Sequence, residues 1–274
     1  MRNYHYKPGP PLDRFVEVIW VLENDAAPHP RERLLPDGSV ELVFSLQEEA
    51  FPVYSREDLD RCDIFRGNVV CGPHSQPFAI DTSTTVKVAG AHFKAGGAYP
   101  FLKLPAGELH NTHVGLDALW GAAAAERVRQ QLLEAATPAA KARVIERALL
   151  DATRGVPERH PAVAFALNEF RGVPEGQKIA DVTGQIGLSS RRFIEVFRNE
   201  VGLAPKLFCR VRRFQKVVRM ISAGQPVDWA EVALTCGYFD QAHFIHDFRA
   251  FSGINPSSYL ADYIEHLNHV PIHS

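Results

Sequence analysis

No apolar stretch of this chain approaches the ~18 residues that a membrane-crossing helix needs, and no basic segment followed by an apolar run opens it. Neither a membrane span nor a signal peptide is therefore expected. The four cysteines, Cys62, Cys71, Cys209 and Cys236, include no CxxC pair. They read as the reduced thiols of a cytoplasmic protein rather than as a disulfide framework. Also missing are a Ser/His/Asp arrangement, a phosphate-binding glycine loop and an HExxH pair, so no motif argues for an enzyme. An overall basic charge is lacking too: the formal net charge is −2, which by itself does not suggest a nucleic-acid partner.

That average hides a gradient. Between residues 171 and 222 eleven Lys or Arg stand against four acids, a net of +7. From 223 to the end one Arg faces six acids, a net of −5. A basic block inside a neutral chain is the pattern expected when one face meets phosphates, although a solvated helix surface gives the same count.

At 274 residues the chain is long enough for two domains. Its first part is β-rich. Residues 14–23 and 39–46 are runs of β-branched and aromatic residues, the second following a Pro36-Asp-Gly38 turn signal. Residues 69–71 and 84–89 are further strands, and 91–105, with Gly96-Gly97 and two prolines, reads as a loop or strand bend. Helical periodicity takes over from Gly115 to Asp151, with a second helix after Pro138, and again from Pro161 to Phe170. Breaks fall at 154–157 and 171–176. The expected division is a β-rich sensor or dimerisation domain over 1–155, a helix and linker over 156–176, and an all-α domain over 177–264. The fold class is α+β: an N-terminal β-barrel or sandwich with trailing helices, then two helix-turn-helix units joined by a long helix.

A repeat carries the functional reading. Gly187 to Pro205 and Gly237 to Pro256 both contain F-x-x-x-F-R-x-x-x-G-x-x-P, 51 residues apart. Gly187 and Gly237 each follow a short apolar helix, which a left-handed glycine can end. Ser189 and Asp240 are good N-caps for the next helix. Phe193/Phe197 and Phe244/Phe248 are i,i+4 pairs that point inward, and Gly202 and Gly253, with a proline three residues on, stop it. This is the helix-turn-helix plan. Two ordinary helical hairpins would share some of it, but duplication of the whole frame around a basic segment favours DNA reading. Between the copies, residues 205–223 form one helix whose apolar stripe packs on both lobes. A spacing of the lobes near ~34 Å would place both reading helices in successive major grooves.

Over about Lys178 to Tyr259, both copies, the joining helix and the closing G-I-N-P-S-S-Y resemble the DNA-binding domain of the AraC family of bacterial transcription regulators. Thr183 stands where that family usually has a small Ala, the counterpart of Ala233. The resemblance implies base-edge contacts by Arg191, Ile194 and Glu195, with Ser189 and Ser190 beside them. Arg191 suits guanine and Glu195 suits cytosine, although Glu195 equally reads as an intrahelical partner of Arg191. Arg192 and Arg198 suit phosphate. In the second unit the corresponding residues are Gln241, Ala242, His243 and His246, followed by Arg249. Gln241 suits adenine. His246 replaces a frequent Arg, which weakens its contact and makes it pH-sensitive.

Leu35-Pro-Asp-Gly-Ser-Val-Glu-Leu-Val-Phe44, Cys71-Gly-Pro73 and residues 92–98 resemble a less-studied N-terminal domain found on AraC-like regulators. The family commonly places a cupin-type barrel there that senses a small molecule or dimerises. Trp20, Glu41, Phe44, His92 and Phe93 are the candidate effector-pocket residues, with barrel core as the competing role of the aromatics. A metalloenzyme with an accessory DNA-binding domain is the alternative, but the cupin H-x-H is missing and no metal or other cofactor is expected. His74, His92, His110 and His113 could suggest a metal site, but their spacing does not support one; His110-Asn-Thr-His113 reads as two ligands on one helical face or, more commonly, as surface or hydrogen-bonded histidines. The implied partners are a double-stranded DNA operator, a small-molecule effector, a second copy of the chain through the 115–151 helices, and RNA polymerase; no membrane is implied. Asp240 and Asp247 weaken the second unit electrostatically, so the first should dominate. Arg191→Ala is expected to cost more operator affinity than Gln241→Ala; equal losses in a fluorescence-anisotropy titration contradict this.

Overall fold

The computed structural model describes residues 2–24, 31–47, 50–54, 61–82, 86–153, 157–170, 179–222, 227–262 and 266–272. The linker expected over 171–176 and most of the break expected at 154–157 lie outside them. The N-terminal part contains β1 (Arg2–Tyr6), β2 (Val16–Asn24), β3 (Arg31–Leu34), β4 (Glu41–Ser45), β5 (Phe51–Tyr54), β6 (Cys62–Phe65), β7 (Asn68–Cys71), β8 (Phe78–Asp81) and β9 (Val86–Phe93). After these come α1 (Tyr99–Leu102), β10 (His113–Gly115), α2 (Leu116–Trp120), α3 (Ala122–Glu134), α4 (Pro138–Ala152) and α5 (Pro161–Glu169).

One sheet has the order β1-β2-β9-β4-β7-β10, with every neighbouring pair antiparallel. Alternation assigns its two faces. Ile19 and Val21 of β2, Leu42 and Phe44 of β4, and Ala89 and Ala91 of β9 point to one side and are buried. They share an apolar core with Leu132 of α3 and with Ile145 and Leu149 of α4. The intervening residues, among them Trp20, Glu41 and His92, face the other way and are half-buried. A second sheet approaches on that side: Phe65 of β6 and Phe78 of β8 pack on His113 of β10, with ring centroids 6.0 and 4.5 Å apart. The stretch 91–105, expected as a loop or bend, instead finishes β9 and, after a turn, forms α1.

The C-terminal part is helical: α6 (Ile179–Gln185), α7 (Ser190–Val201), α8 (Pro205–Ile221), α9 (Trp229–Thr235), α10 (Gln241–Ser252) and α11 (Pro256–Ala261). The duplicated frame forms as its chemistry dictates. Gly187 and Gly237 take φ of +71° and +79°, a region that costs a side chain energy but costs glycine none. Ser189 accepts a hydrogen bond from the Arg192 N–H at 3.3 Å, and Asp240 accepts one from His243 N–H at 2.7 Å. Pro205 and Pro256 do more than stop the preceding helix, for each opens the next one in the first turn, where no N–H is needed.

α8 joins the two lobes because its stripe is shared between them. Phe208 packs edge-on against Phe197 at 5.6 Å, whereas Phe214, six residues on and about 240° around the helix, packs against Phe248 at 5.2 Å. Both phenylalanines are buried in one continuous core that also includes Phe193 and Phe244. Truncating such a side chain costs about 3–5 kcal/mol. Thr183 is half-buried where its counterpart Ala233 is fully buried, so the extra atoms do not crowd the first lobe.

The chain then returns to its beginning. β11 (His269–Ile272) pairs antiparallel with β3 and completes a second sheet of order β11-β3-β8-β5-β6. Val270 enters the helical core at 1% exposure, and His269 Nδ1 lies 2.6 Å from Glu32. Tyr259 O–H donates to the Leu267 carbonyl and the Gln215 amide donates to Asn268 Oδ1. Deleting residues 267–274 strips an edge strand and three side-chain bonds at once. Thermal denaturation of the truncated chain should show Tm lowered by roughly 5 °C or more; an unchanged Tm would contradict the strap.

Candidate nucleic-acid interface and the cleft behind it

Both helices proposed to read DNA offer their first turns to solvent. On α7, Ser190, Arg191, Arg192, Ile194, Glu195 and Arg198 are exposed beside the exposed cap Ser189, while Phe193, Val196 and Phe197 are buried. On α10, Gln241, Ala242, His243, His246 and Arg249 are exposed, while Phe244, Asp247 and Phe248 are buried. Hence all twelve candidate DNA-facing residues lie outside the core.

Local pairings sharpen their roles. Glu195 reaches Arg192 three residues earlier at 3.0 Å, not Arg191 as the i,i+4 expectation had it. Both side chains of that pair are more than half exposed, so the bond is weak and easily exchanged for a phosphate or a base. Asp247 does not present a charge to DNA: it is 2% exposed and forms a two-pronged ion pair with Arg210 of α8, its shorter contact 2.7 Å. That pair consumes a basic residue of the joining helix as well. Arg249 is held by Asn255 beyond its own helix. One exposed residue escaped the sequence reading. Phe239, in the turn before α10, is 87% exposed, and an aromatic so open to water commonly belongs to an interaction surface. Its position between buried Tyr238 and the cap Asp240 was the available signal.

The far end of α7 is held by the N-terminal domain. Gly202, which ends the helix at φ +88°, lies so close to Pro73 that a Cβ would come within 2.1 Å of its ring. Gly107, in the 3-10 turn Ala106–Leu109, faces Arg198 less closely: a Cβ there would come 2.9 Å from its Cγ and 3.0 Å from its carbonyl oxygen. Gly38 of the Pro36-Asp-Gly38 turn, at φ +77°, rests on Leu203 and Val211. The buried Gln215 amide of α8 donates to the Pro36 carbonyl at 2.9 Å. At the start of α5 the His160 N–H donates to Glu200 Oε1 at 2.8 Å, and Glu200 Oε2 finds no partner among the described residues.

Between the barrel and α8 opens a cleft of about 550 Å³. Asp37, His92 and Lys94 line it from one side and Phe208, Arg212 and Arg219 from the other. Trp20, Glu41 and His92, three of the candidate effector residues, form one contiguous polar group at its edge. Trp20 Nε1 donates to Glu41 at 2.8 Å, and His92 lies 3.7 Å from Glu41 and 3.3 Å from Asp37. Burial works against a charged His92, but the Glu41 bond and the Asp37 carboxylate outweigh it and lift its pKa to about 9. Burial likewise opposes the charge on Glu41, and the bonds from His92 and Trp20 hold its carboxyl below the usual range. Phe93 is among the residues around the cleft, but its ring is buried in the helix-facing core against Phe101. Phe44 is displaced from the expected pocket: alternation turns it away from Glu41 into the helix-facing core.

His110 and His113 do not pair on one helical face, and His110 is one of the hydrogen-bonded histidines that were the commoner expectation. His110 follows the 3-10 turn and its Nε2 bonds Ser75 Oγ at 2.8 Å, whereas His113 opens β10. His113 instead meets Cys71, its Nε2 3.2 Å from the thiol, and His74 joins them. The spacing Cys71-Gly-Pro-His74, a cysteine and a histidine separated by two residues, was legible in the sequence. Its partner forty residues on needed the sheet register.

Comparisons with known proteins agree with this construction. Residues 182–262 match a family described as a helix-turn-helix domain, and residues 4–115 match a domain of unknown function. These 182–262 residues are an AraC-type helix-turn-helix domain. No curated protein matches the chain by sequence. Among solved structures, an apo ToxT variant from Vibrio cholerae superposes with a TM-score of 0.50 at 12% identity, covering 89% of this chain and 97% of that one. ToxT with an unsaturated fatty acid bound superposes at 0.48 and 10% identity, covering 88% and 94%. A probable AraC family transcriptional regulator from Rhodopseudomonas palustris is 27% identical over 37% of this chain and 96% of its own, with a TM-score of 0.34. The first of these likenesses shows the shared two-part fold.

Glu200 gives the docked arrangement a pH dependence. Its burial raises the pKa from 4.5 to about 7 against the opposing His160 bond and the nearby Arg159. A carboxyl whose folded pKa is raised favours the folded state when protonated, so stability is lost as pH climbs from the unfolded value through 7. Glu200→Gln keeps the oxygen that accepts from His160. Thermal denaturation should show it more stable than the parent at pH 8 and indistinguishable at pH 4.5; a pH-independent difference would contradict the assignment.

Proposed function

We propose that this chain is a sequence-specific DNA-binding transcriptional regulator controlled by a small molecule in the cleft between the barrel and α8. The observation that carries the reading is the division of α7. Its first two turns expose Ser190, Arg191 and Glu195 to a duplex, while its last turn and Gly202 seat on Pro73 and Gly107 of the N-terminal domain. α8, whose Arg212 and Arg219 line the cleft, is also the strut that joins the two reading units.

A ligand in that cleft touches both halves of the molecule. It can shift DNA binding only through different affinities for two arrangements of those halves, and contact with both halves supplies such a difference. The charges that line the cleft, Lys94, Arg212, Arg219 and His92 against Glu17 and Asp37, suit a polar molecule with an acidic group more than a hydrocarbon. The regulator acts as a dimer formed through the surface of α3 and α4, where Leu133 and Leu150 remain exposed, and an occupied operator presents it to RNA polymerase. The residue ranges 1–155, 156–176 and 177–264 remain the working division into domains.

Duplexes selected from a random library by the full chain should share one bipartite sequence. Arg191→Ala should then lose about 5- to 150-fold in affinity for that duplex and relax discrimination at one base pair. Arg192→Ala should instead weaken selected and unselected duplexes alike and reduce the salt slope by about one. Failure to enrich any sequence, or loss of discrimination in neither variant, would overturn the reading.

A further inference from the structure

Cys71, His74 and His113 form a cluster that DNA reading does not use. Strand pairing sets Cys71 of β7 opposite His113 of β10, and the sulfur lies 3.2 Å from Nε2. His74, three residues past Cys71, closes a triangle in which all three ligand atoms lie within 4.8 Å of one another. A tetrahedral zinc site, with Zn–S about 2.3 Å and Zn–N about 2.0–2.1 Å, requires separations of about 3.3–3.7 Å between donor atoms. Small rotations of the three side chains bring them there.

His74 supplies the second, independent observation. It is 6% exposed and its Nε2 has no hydrogen-bond partner among the described residues. The ring also bonds the backbone of Thr112, the support that metal-bound histidines usually have on their other nitrogen. A buried ring nitrogen with no partner, beside a thiol and a second imidazole, is a donor awaiting an acceptor. Phe78 packs on both imidazoles, at 4.6 Å from His74 and 4.5 Å from His113, and shields the cluster.

We propose that Cys71, His74 and His113 bind one zinc-class divalent cation, and that the ion fixes the surface on which α7 docks. Thiolate with two imidazoles is a donor set for borderline-soft ions, not for Mg²⁺ or Ca²⁺. On binding, the Cys71 thiol releases its proton to solvent, the two histidines bind through neutral nitrogens, and water fills the fourth position. No electron is transferred. The link to DNA is geometric and rests on the regulator reading above. Pro73, the residue against Gly202, is covalently between the ligands Cys71 and His74. Drawing those two side chains onto an ion sets the position of Pro73, and with it the seat of α7.

Co²⁺ titrated into the full-length, metal-free protein should bind at one equivalent and give a sulfur-to-cobalt charge-transfer band that Zn²⁺ abolishes and Mg²⁺ does not. Cys71→Ser should lose the band, and His113→Gln should weaken binding at least ~10-fold. Zn²⁺ should also protect Cys71, but not exposed Cys62, from alkylation mapped by mass spectrometry, a measurement that needs no variant. Absence of the band in the parent chain, its survival in Cys71→Ser, or equal alkylation of Cys71 with and without Zn²⁺ overturns the site. Affinity for a selected duplex should change at least ~3-fold when Zn²⁺ is added to the parent chain and stay constant in Cys71→Ser. An unchanged affinity in the parent overturns the coupling alone. Failure of the chain to enrich any duplex both without and with Zn²⁺ strikes the regulator reading and leaves the metal measurement intact.

Discussion

The contact between Gly202 and Pro73 fixes how the two halves of this molecule sit against each other. α7 needs a residue with positive φ to end it, and the N-terminal domain uses the missing side chain as a seat. The same few atoms thus terminate a DNA-reading helix and anchor it to the barrel. Gly107 against Arg198 repeats the arrangement one turn earlier. A backbone packed this closely cannot slide without separating, so the docked and undocked states are discrete. Discrete states are what a signal needs, since interfaces packed like a protein interior resist gradual deformation.

Strand pairing places chemistry in a row behind that seat. His92 faces Glu41, Glu41 faces Cys71 and Cys71 faces His113 across four neighbouring strands of one sheet. Burial pushes the Cys71 thiol well above its usual pKa, helped by Glu41 and Asp37, and pushes His74 and His113 down to about 3 and 4. At the other end of the row the same carboxylates keep His92 charged. One sheet face therefore holds an ionised end toward α8 and a neutral, donor-rich end toward α7. The separation follows from the position of the acids, which cluster at Asp37 and Glu41.

Much of the helical half was legible because its signals are local. Glycine, cap residue, spaced phenylalanines and proline each act within a turn or two, and the repeat tested each assignment against a second copy. Trp20, Glu41 and His92 could be named because alternation within single strands marks them as polar residues among apolar ones. Phe44 was misplaced because its side of the strand depends on which face the helices cover, a tertiary fact. The short strands β3, β5, β6, β8, β10 and β11, and β1 at the edge, carry too few residues for a period of two to stand out. The Cys71/His113 pairing spans forty residues and is set by register, which no local pattern encodes. Glu195 chose Arg192 over Arg191 because both spacings bring side chains together on a helix, and sequence does not rank them.

The strap formed by β11 changes the mechanics of the helical domain. A domain joined to its neighbour by one linker can swing like a pendant and sample any orientation within reach. Here the polypeptide, after α11, returns to hydrogen-bond into the sheet at β3, so the domain is also held by a strand pairing at its exit. Any movement that lifts α7 from its seat must therefore carry β11 along with β3 or break their pairing.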